Sequence, residues 1–300
     1  MSSVVPRISV VMPAWNASAF VGRAVASVWA QTSPVEELIV VDDGSTDDTA
    51  AAALAADART TIVRQSNGGP GAARNRGVRE ARGDWLAFLD ADDAWRPEKL
   101  ARQRPACREG VDVVFSYVVD PLPEYTPPAV IDFDALWRDN CVGMSTALVR
   151  RTTFEKIGGF DEDREILGVE DYNLWLRMAA RGARFEFVPE QLVEYTPAPG
   201  NLSSQFGKIA RCSARNAEKV ARDIGMPEAR LQAKLAAIFE EYGVALLHAR
   251  DLHAARKCLW EALRHQRDRR TVARWLTTFA PRRVLDWRRS LIRSASRFLS

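Results

Sequence analysis

The feature of the sequence that most constrains its fold is a repeated alternation between short apolar runs and segments with helical periodicity. Apolar runs of this length, bounded by turn residues, are typical of strands that are buried on both faces of a sheet. They occupy residues 8–13, 38–41, 60–65, 84–89 and 111–118. Because helical segments separate them, the order indicates a mostly parallel sheet with helices on both faces. The sequence therefore predicts an α/β fold.

The alternation ends at the proline-rich segment 120–128. A short strand and two helices are expected after it, followed by strand-like residues near 185–188 and 192–195. Beyond the segment TPAPGN the sequence is rich in Ala, Arg and Leu and has the pattern of nearly continuous helix. We place a domain boundary near Asn201, so that an α/β domain over residues 1–200 precedes an α-helical C-terminal region over residues 201–300.

The composition excludes several classes of protein. The four Cys residues are scattered without a CxxC pair, which indicates free thiols in a reducing cytoplasm rather than structural zinc. The chain does not begin with a secretory-signal pattern, and no run of about 18 apolar residues could cross a bilayer. The net charge is only +3, and no nucleic-acid-binding motif accompanies the scattered arginines. We therefore expect a cytoplasmic protein that does not bind nucleic acid.

Unusual polar segments follow the first four predicted strands. They are PAWN at 13–16, DDGS at 42–45, QSNGGPGAARN at 65–75 and DADD at 90–93. In an open parallel sheet, ligands bind beyond the carboxyl ends of the strands, and these ends lie at one edge. We therefore expect the four segments to form a common site.

The acidic segment after the fourth strand has the spacing of a metal site. Residues two apart in an extended or turning backbone point to the same side, so Asp90 and Asp92 can address one ligand. Crowded carboxylates repel one another, and a shared divalent cation relieves that repulsion. Such a cation would take its remaining ligands from phosphate oxygens. The alternative is that these acids, with Asp93, cap the next helix and stay solvated.

Six motifs occur in an order and approximate spacing that resemble those of glycosyltransferase family 2, a family of inverting, nucleotide-sugar-dependent enzymes with the GT-A fold. The motifs are SVVMPAWN, LIVVDDGSTDDT, NGGPGAARNRG, WLAFLDADD, KIGGFDE and VEDYNLWLRM. Each motif alone is weakly specific, whereas the ordered set is strongly specific. The resemblance covers residues 7 to about 200, and it implies a GT-A catalytic domain with a Rossmann-like sheet over residues 1–200.

The resemblance implies that the first two segments bind the base of the donor nucleotide. Pro13 to Trp15 would line the base pocket, with the Trp15 ring stacked on uracil or another base. Asp43, beside Asp42, would accept a hydrogen bond from the ring N–H of that base. The structural alternatives are that Trp15 is a core aromatic residue and that DDGSTDD is a turn followed by a helix cap.

The resemblance assigns the other two segments to the diphosphate and the metal. Arg74 would neutralise phosphate together with the start of its helix, and the nearby glycines would let the backbone approach closely, although they could equally be a plain loop. Asp92 would ligate Mn²⁺ or Mg²⁺, and Asp90 would reach the ribose or the metal. The complete set of expected donor contacts is Pro13, Ala14, Trp15, Asn16, Asp42, Asp43, Gly68, Gly71, Arg74, Asp90, Ala91 and Asp92.

The segment GVEDYNLW supplies a pair of acids, Glu170 and Asp171, at the start of a predicted helix. Inverting transfer requires a base that deprotonates the acceptor hydroxyl as it attacks the sugar. The family pattern puts the base in this pair, and we favour Asp171. The alternative is that both acids are at the helix N-terminus because its dipole favours negative charge there.

The sequence departs from the family at one position. Relatives often carry His-Pro-Gly after the last strand of the domain, whereas this chain has Ala198 where the His is expected. Its three histidines, His248, His253 and His265, all lie in the C-terminal region. We therefore exclude imidazole ligation of a metal in the first domain.

The resemblance implies a hexosyltransferase that moves a sugar from a nucleotide-diphosphate donor, with a UDP-sugar favoured, to a hydroxyl of a glycan or lipid-linked acceptor. The expected setting is the synthesis of cell-surface polysaccharide, lipopolysaccharide or a related glycan. The alternatives are a catalytically inactive nucleotide-sugar-binding protein and a sugar nucleotidyltransferase. A Rossmann dehydrogenase is excluded, because PAWNAS has no glycine where that fold needs G-x-G-x-x-G.

The segment 282–300 combines Arg residues with an apolar face around Trp287. A basic amphipathic helix of this kind can lie on the inner face of an anionic membrane. It can equally pack against the first domain or form an oligomer contact, and the sequence does not fix the oligomeric state.

Overall fold

A computed structural model of the chain describes residues 5–119, 126–196 and 206–280. The chain divides into two compact units, Met1–Asn201 and Leu202–Ser300, and each is described by itself. All four Cys residues are free thiols.

In the described residues, the strands of the first unit form one eight-stranded sheet in the order β3-β2-β1-β4-β7-β6-β8-β5. Their bounds are β1 (Ile8–Ala14), β2 (Glu37–Asp42), β3 (Thr61–Arg64), β4 (Trp85–Phe88), β5 (Ala94–Trp95), β6 (Val113–Val119), β7 (Leu148–Arg150) and β8 (Phe185–Glu194). The first four strands are all parallel, with β1 paired to both β2 and β4. The α/β prediction is therefore confirmed, and the carboxyl ends of β1 to β4 lie at one edge.

The other half of the sheet is mixed. β7 runs antiparallel to both β4 and β6, β8 runs parallel to β6, and the two-residue β5 runs antiparallel to β8. The pairing of β6 with β8 shifts between Ser116 and Val118, so the two predicted strand-like segments near 185–195 form one irregular strand. β5 could not be predicted from the sequence, because a two-residue strand is too short to show a periodicity.

Helices cover the sheet of the first unit. They are α1 (Val21–Trp29), α2 (Thr49–Ala56), α3 (Pro70–Glu80), α4 (Lys99–Gln103), α5 (Phe133–Arg138), α6 (Arg151–Ile157) and α7 (Glu170–Ala180). α3 packs closely on β1 because it has no side chain at Gly77, where a Cβ would lie 2.4 Å from Val11 Cγ1. α7 buries Leu174, Trp175 and Met178 in the core of the first unit.

The second unit consists of helices in the part that the structure describes. They are α8 (Phe206–Asp223), α9 (Glu228–His248), α10 (Leu252–His265) and α11 (Arg269–Thr277). α9 and α10 approach closely at Gly243, where a Cβ would lie 2.7 Å from Leu259 Cγ. A small apolar core, including Ala210, Leu246 and Ala255, joins α8, α9 and α10.

Candidate active site

The segments that follow β1 and β2 are joined by hydrogen bonds. The Asp43 N–H donates to the Ala14 carbonyl oxygen (2.8 Å), and the Thr46 N–H donates to Asn16 Oδ1 (2.9 Å). Asn16 has a φ of +49°, in the left-handed region that Asn tolerates better than most residues. Trp15 is 58% exposed, so the alternative that it is a core residue is wrong.

Three of the predicted donor contacts in these two segments are less exposed than Trp15. Pro13 is partly buried, and Ala14 and Asp42 are buried. Asp42 Oδ1 accepts a hydrogen bond from the Ser45 N–H (2.9 Å), and Asp42 Oδ2 lies 3.6 Å from Arg64 Nε. Asp42 therefore closes the turn after β2.

The buried carboxylate of Asp43 holds the glycine-rich segment. Its Oδ1 accepts from the Gln65 side-chain amide (2.7 Å) and the Gly68 N–H (2.8 Å), and its Oδ2 accepts from the Gly69 N–H (2.8 Å). A carboxylate offers about four lone-pair sites, so one site on Oδ2 is left for a further donor. The predicted hydrogen bond from the ring N–H of a base to Asp43 is compatible with these contacts and stays a prediction.

The glycines at the start of α3 are required by close packing within the protein. A Cβ on Gly68 would lie 2.9 Å from Ala72 Cβ, and one on Gly71 would lie 3.1 Å from the Asp161 carbonyl oxygen and 3.6 Å from Glu170 Cγ. Gly71 thus lets α3 approach the segment that leads into α7. The close approach of the backbone at Gly68 and Gly71 to a diphosphate stays a prediction.

Arg74 of α3 connects the acidic turn after β4 with the start of α7. It is 4% exposed, and its guanidinium donates to Asp90 Oδ1 (2.6 Å) and to Glu170 Oε1 (2.7 Å). Burial alone would lower the pKa of Arg74, but the charges of Asp90 and Glu170 raise it above its ordinary value. The side chain predicted to neutralise phosphate thus already compensates two carboxylates of the protein.

Residues 90–93 form a tight turn that is bonded to a distant serine. The Asp93 N–H donates to the Asp90 carbonyl oxygen (3.0 Å). Ser145 Oγ accepts from the Asp90 N–H (3.1 Å) and donates to Asp93 Oδ2 (2.6 Å). Asp90 and Asp92 are partly exposed, whereas Ala91 and Asp93 are buried. The alternative that all three acids stay solvated is therefore wrong for Asp93.

Asp93 and Ser145 are functional candidates that the sequence analysis did not assign to the site. Burial and the negative charge of Asp90 raise the pKa of Asp93 to about 7, although the hydrogen bond from Ser145 lowers it. Ser145 lies in the 3₁₀ turn Met144–Thr146, and its carbonyl oxygen accepts from Trp95 Nε1 (2.8 Å). The sequence gives no sign that Ser145 belongs to the site, because Asp93 and Asp90, which it contacts, precede it by 52 and 55 residues.

The segment GGFDE before α7 is held by two helices. Asn75 of α3 donates from Nδ2 to the Phe160 carbonyl oxygen (2.9 Å) and accepts on Oδ1 from the Phe160 N–H (2.9 Å). Arg177 of α7 donates to the Gly159 carbonyl oxygen. These contacts fix the backbone that leads to Glu170.

The two acids at the start of α7 have different environments. Glu170 is buried, accepting from Arg74 on Oε1 and from the Gly168 N–H on Oε2 (2.7 Å). Asp171 is partly exposed, and its Oδ1 accepts from the Tyr172 N–H (2.7 Å), while no described residue donates to its Oδ2. Burial of its carboxyl group and the charge of Glu170 raise the pKa of Asp171 to about 7, against the charge of Arg74. A carboxyl group with such a pKa can exchange a proton near neutral pH.

The acidic turn offers oxygen ligands only, the type that Mg²⁺ and Mn²⁺ prefer. No three His, Cys, Asp or Glu side chains converge as a metal site among the described residues. Asp90 and Asp92 therefore fit a cation that takes its other ligands from phosphates and water.

Two predicted features lie outside the described residues: Ala198, at the expected His position, and the basic segment 282–300. Within the described ranges, no helix is both long and apolar enough to span a membrane.

Two family models match the chain in succession. Glycosyl transferase family 2 matches residues 9–144, and Glycosyltransferase like family 2 matches residues 130–224. The chain belongs to glycosyltransferase family 2. The matches extend over the four strand-end segments, the GGFDE segment and the start of α7, so the resemblance of the motifs is confirmed.

Two curated relatives of this family-2 chain are named for polysaccharide synthesis. Succinoglycan biosynthesis protein ExoO of Rhizobium meliloti is 34% identical over 221 residues, which cover 66% of this chain and 63% of ExoO. The putative teichuronic acid biosynthesis glycosyltransferase TuaG of Bacillus subtilis is 29% identical, with coverage of 70% and 87%. An uncharacterized glycosyltransferase of Haemophilus influenzae is 30% identical, with coverage of 57% and 61%. The chain thus spans less than two thirds of the length of ExoO and of the Haemophilus protein.

Solved structures share the fold of this chain. S. aureus TarS in complex with UDP-GlcNAc superimposes with a TM-score of 0.64 at 18% identity, covering 89% of this chain and 83% of the TarS chain. The mannosyltransferase PcManGT from Pyrobaculum calidifontis, in complex with GDP-Man and Mn²⁺, gives 0.63 at 21% identity, with coverage of 92% and 80%. The predicted GT-A fold with a helical C-terminal region is therefore confirmed.

Proposed function

We propose that this protein is an inverting glycosyltransferase that moves a sugar from a nucleotide-diphosphate donor, with a UDP-sugar favoured, to a hydroxyl acceptor. Residues 1–200 form its catalytic domain, and residues 201–300 form contacts with the acceptor, another copy or a membrane surface. The observation that carries the proposal is the ion-pair network of Arg74, which brings the acidic turn at Asp90 next to the carboxylates at the start of α7. A donor-binding edge and a base are the two parts that this reaction needs side by side.

The donor nucleotide binds at the carboxyl ends of β1 and β2 in this proposal. The exposed ring of Trp15 stacks on the base, and Asp43 accepts from the ring N–H of the base with its remaining lone pair. Pro13, Ala14, Asn16 and Asp42 complete the pocket. The 58% exposure of Trp15 supports this role, because an exposed aromatic ring has a face available for stacking on a base.

The diphosphate binds between the start of α3 and the acidic turn in this proposal. Asp92, with Asp90, would hold Mn²⁺ or Mg²⁺, and the cation supplies positive charge that stabilises the departing diphosphate. Arg74 neutralises Asp90 from the protein side, and Ser145 orients the turn by binding the Asp90 N–H. Gly68 and Gly71 leave the approach to α3 free of side chains.

Asp171 acts as the base in this proposal, and Glu170 positions it. Glu170 has both carboxylate oxygens engaged, whereas Asp171 Oδ2 has no donor among the described residues. The pKa of about 7 further supports Asp171, because a base works best when its pKa lies near the working pH. The acceptor O–H would donate to Asp171 and lose its proton as its oxygen attacks the anomeric carbon.

Relatives support a setting in glycan synthesis. ExoO is named for succinoglycan and TuaG for teichuronic acid, so we propose a glycan or lipid-linked acceptor in cell-surface polysaccharide, lipopolysaccharide or related glycan synthesis. The structural neighbours were solved with UDP-GlcNAc, or with GDP-Man and Mn²⁺, which supports a nucleotide sugar and a divalent cation as ligands. A peripheral membrane contact through residues 282–300 stays a prediction.

A panel of UDP-, GDP- and dTDP-sugars tests the proposal by donor hydrolysis with Mn²⁺ or Mg²⁺. We expect one donor to be hydrolysed in a metal-dependent manner, and Asp92→Asn to abolish the metal dependence. Binding of a nucleotide sugar without any hydrolysis or transfer would instead favour the inactive binding protein. Formation of a nucleotide sugar from a sugar phosphate and a nucleoside triphosphate would favour the nucleotidyltransferase.

A further inference from the structure

The last described helix carries its apolar side chains outward. Val272, Trp275, Leu276 and Phe279 repeat at i, i+3, i+4 and i+7, the spacing that normally faces a protein core. In α11, however, Thr271 is the buried residue, whereas Val272 and Leu276 are 39% and 56% exposed, and Phe279, just after the helix, is 53% exposed. The helix therefore presents an amphipathic face that the described part of the second unit does not cover.

Aromatic rings make this surface continuous with α10. Trp260 of α10 is 50% exposed, and its ring centroid lies 5.4 Å from that of Trp275, which lies 5.0 Å from that of Phe279. The Arg256 guanidinium lies 3.8 Å from the centroid of the Phe279 ring. We call Trp260, Val272, Trp275, Leu276 and Phe279 the α11 patch. Contiguous exposed apolar residues of this kind, unlike scattered single ones, mark an interaction surface.

The charges around the α11 patch identify its partner. Residues 252–280 contain seven Arg or Lys residues and two acids, and Arg269, Arg270 and Arg274 of α11 are all exposed, Arg274 being paired with Glu240 of α9. In a two-fold contact between copies the same surface meets itself, so cations would face cations. An anionic lipid surface matches both properties, since Trp, Phe and Leu enter the headgroup boundary while Arg binds phosphate. We propose that the α11 patch docks the protein on an anionic bilayer.

The α11 patch shares no residue with the proposed donor site or with residues 282–300, so substitutions in the patch test it separately. The probe is cosedimentation of the full-length chain with vesicles of phosphatidylglycerol and phosphatidylcholine, and with pure phosphatidylcholine vesicles. The test variant is Leu276→Asp/Phe279→Asp, which changes two side chains that are more than half exposed. The matched control is Leu54→Asp on α2, where a Leu is 46% exposed in the first unit.

We expect the wild-type chain and Leu54→Asp to bind the anionic vesicles, and the double variant to bind about tenfold or more weakly. Binding should weaken with salt, because charges are screened over about 10 Å at 0.1 M. Equal binding by the double variant would overturn the proposal and assign the contact to another segment. Absence of vesicle binding, or a dimer in light scattering that the double variant abolishes, would overturn it too. Thermal stabilisation by UDP reports separately on the donor site in every variant.

Discussion

The acidic turn after β4 and the start of α7 both carry neighbouring carboxylates, and in both regions one acid is anchored while another is more exposed. In the turn, Asp93 is buried against Ser145 and Asp92 is partly exposed. At α7, Glu170 is buried against Arg74, and Asp171 is partly exposed. The buried acids differ in their partners: Asp93 is held by the neutral Ser145 hydroxyl, whereas Glu170 is held by the Arg74 guanidinium, which also binds Asp90 of the turn. In each motif, one acid is thus buried and has a structural role, and its neighbour is exposed enough to bind a ligand.

The difference in partners determines how much stability each region should lose when its partner is removed. Removing Arg74 leaves buried negative charge without compensation, which is the costlier defect. Removing the Ser145 hydroxyl leaves a buried N–H and a carboxyl group without one hydrogen bond each, which costs less. Changing an exposed acid should affect the chemistry and leave the stability almost unchanged.

The largest effect is expected for Asp171, the partly exposed acid of α7. Asp171→Asn should lower the rate of donor hydrolysis or transfer by about 10²–10⁴-fold, because it removes the base. The increase in melting temperature with UDP should be unchanged, since donor binding does not need the base. Near wild-type turnover in this variant would transfer the role to Glu170 or another carboxylate.

Loss of the ion pair that anchors α7 should lower the stability of the protein. Arg74→Gln should lower the free energy of unfolding by about 3–5 kcal/mol in urea denaturation, because Glu170 stays buried without its cation. Arg76→Gln is the matched control on the same helix, where the Arg76–Glu80 pair is exposed and should contribute about 0.5 kcal/mol or less. If both variants lost the same free energy of unfolding, the Arg74–Glu170 ion pair would not be a strong anchor of α7.

The anchor of the acidic turn should give a smaller loss. Ser145→Ala should lower the free energy of unfolding by about 1–3 kcal/mol and weaken the Mn²⁺-dependent part of UDP binding. Ser116→Ala is the control, because that Ser is also buried but, among the described residues, its hydroxyl makes only a long hydrogen bond of 3.4 Å. An unchanged metal response in Ser145→Ala would show that the hydroxyl does not orient the turn.

The pH dependence of the rate should report on Asp171. Its pKa is raised to about 7, and the base must be deprotonated to act, so kcat/KM should fall about tenfold per pH unit below that value. The rate should level off above it. A rate that stays constant down to pH 5 would contradict a base with a raised pKa.

Much of the fold follows from local patterns in the sequence, while the connections between the patterns do not. The strands β1 to β4 and their polar ends are encoded by short apolar runs and the residues just after them. Arg74 and Glu170 are 96 residues apart, and neither motif specifies that the two side chains meet. The sequence likewise cannot separate Glu170 from Asp171, because their difference arises from burial and from the Arg74 contact.

The central claim is that the edge formed by β1 to β4 binds a nucleoside diphosphate with a divalent cation at Asp92. The most direct measurement is the melting temperature with UDP alone, with Mn²⁺ alone and with both, for the wild type, Asp92→Asn and the exposed control Asp223→Asn. We predict that UDP stabilises the wild type and the control, that Mn²⁺ adds to this effect, and that Asp92→Asn loses only the added part. UDP at a concentration of about 100 times its Kd would raise the free energy of unfolding by about 2.7 kcal/mol. The claim is contradicted if no nucleoside diphosphate raises the melting temperature, or if Asp92→Asn keeps the full response to Mn²⁺.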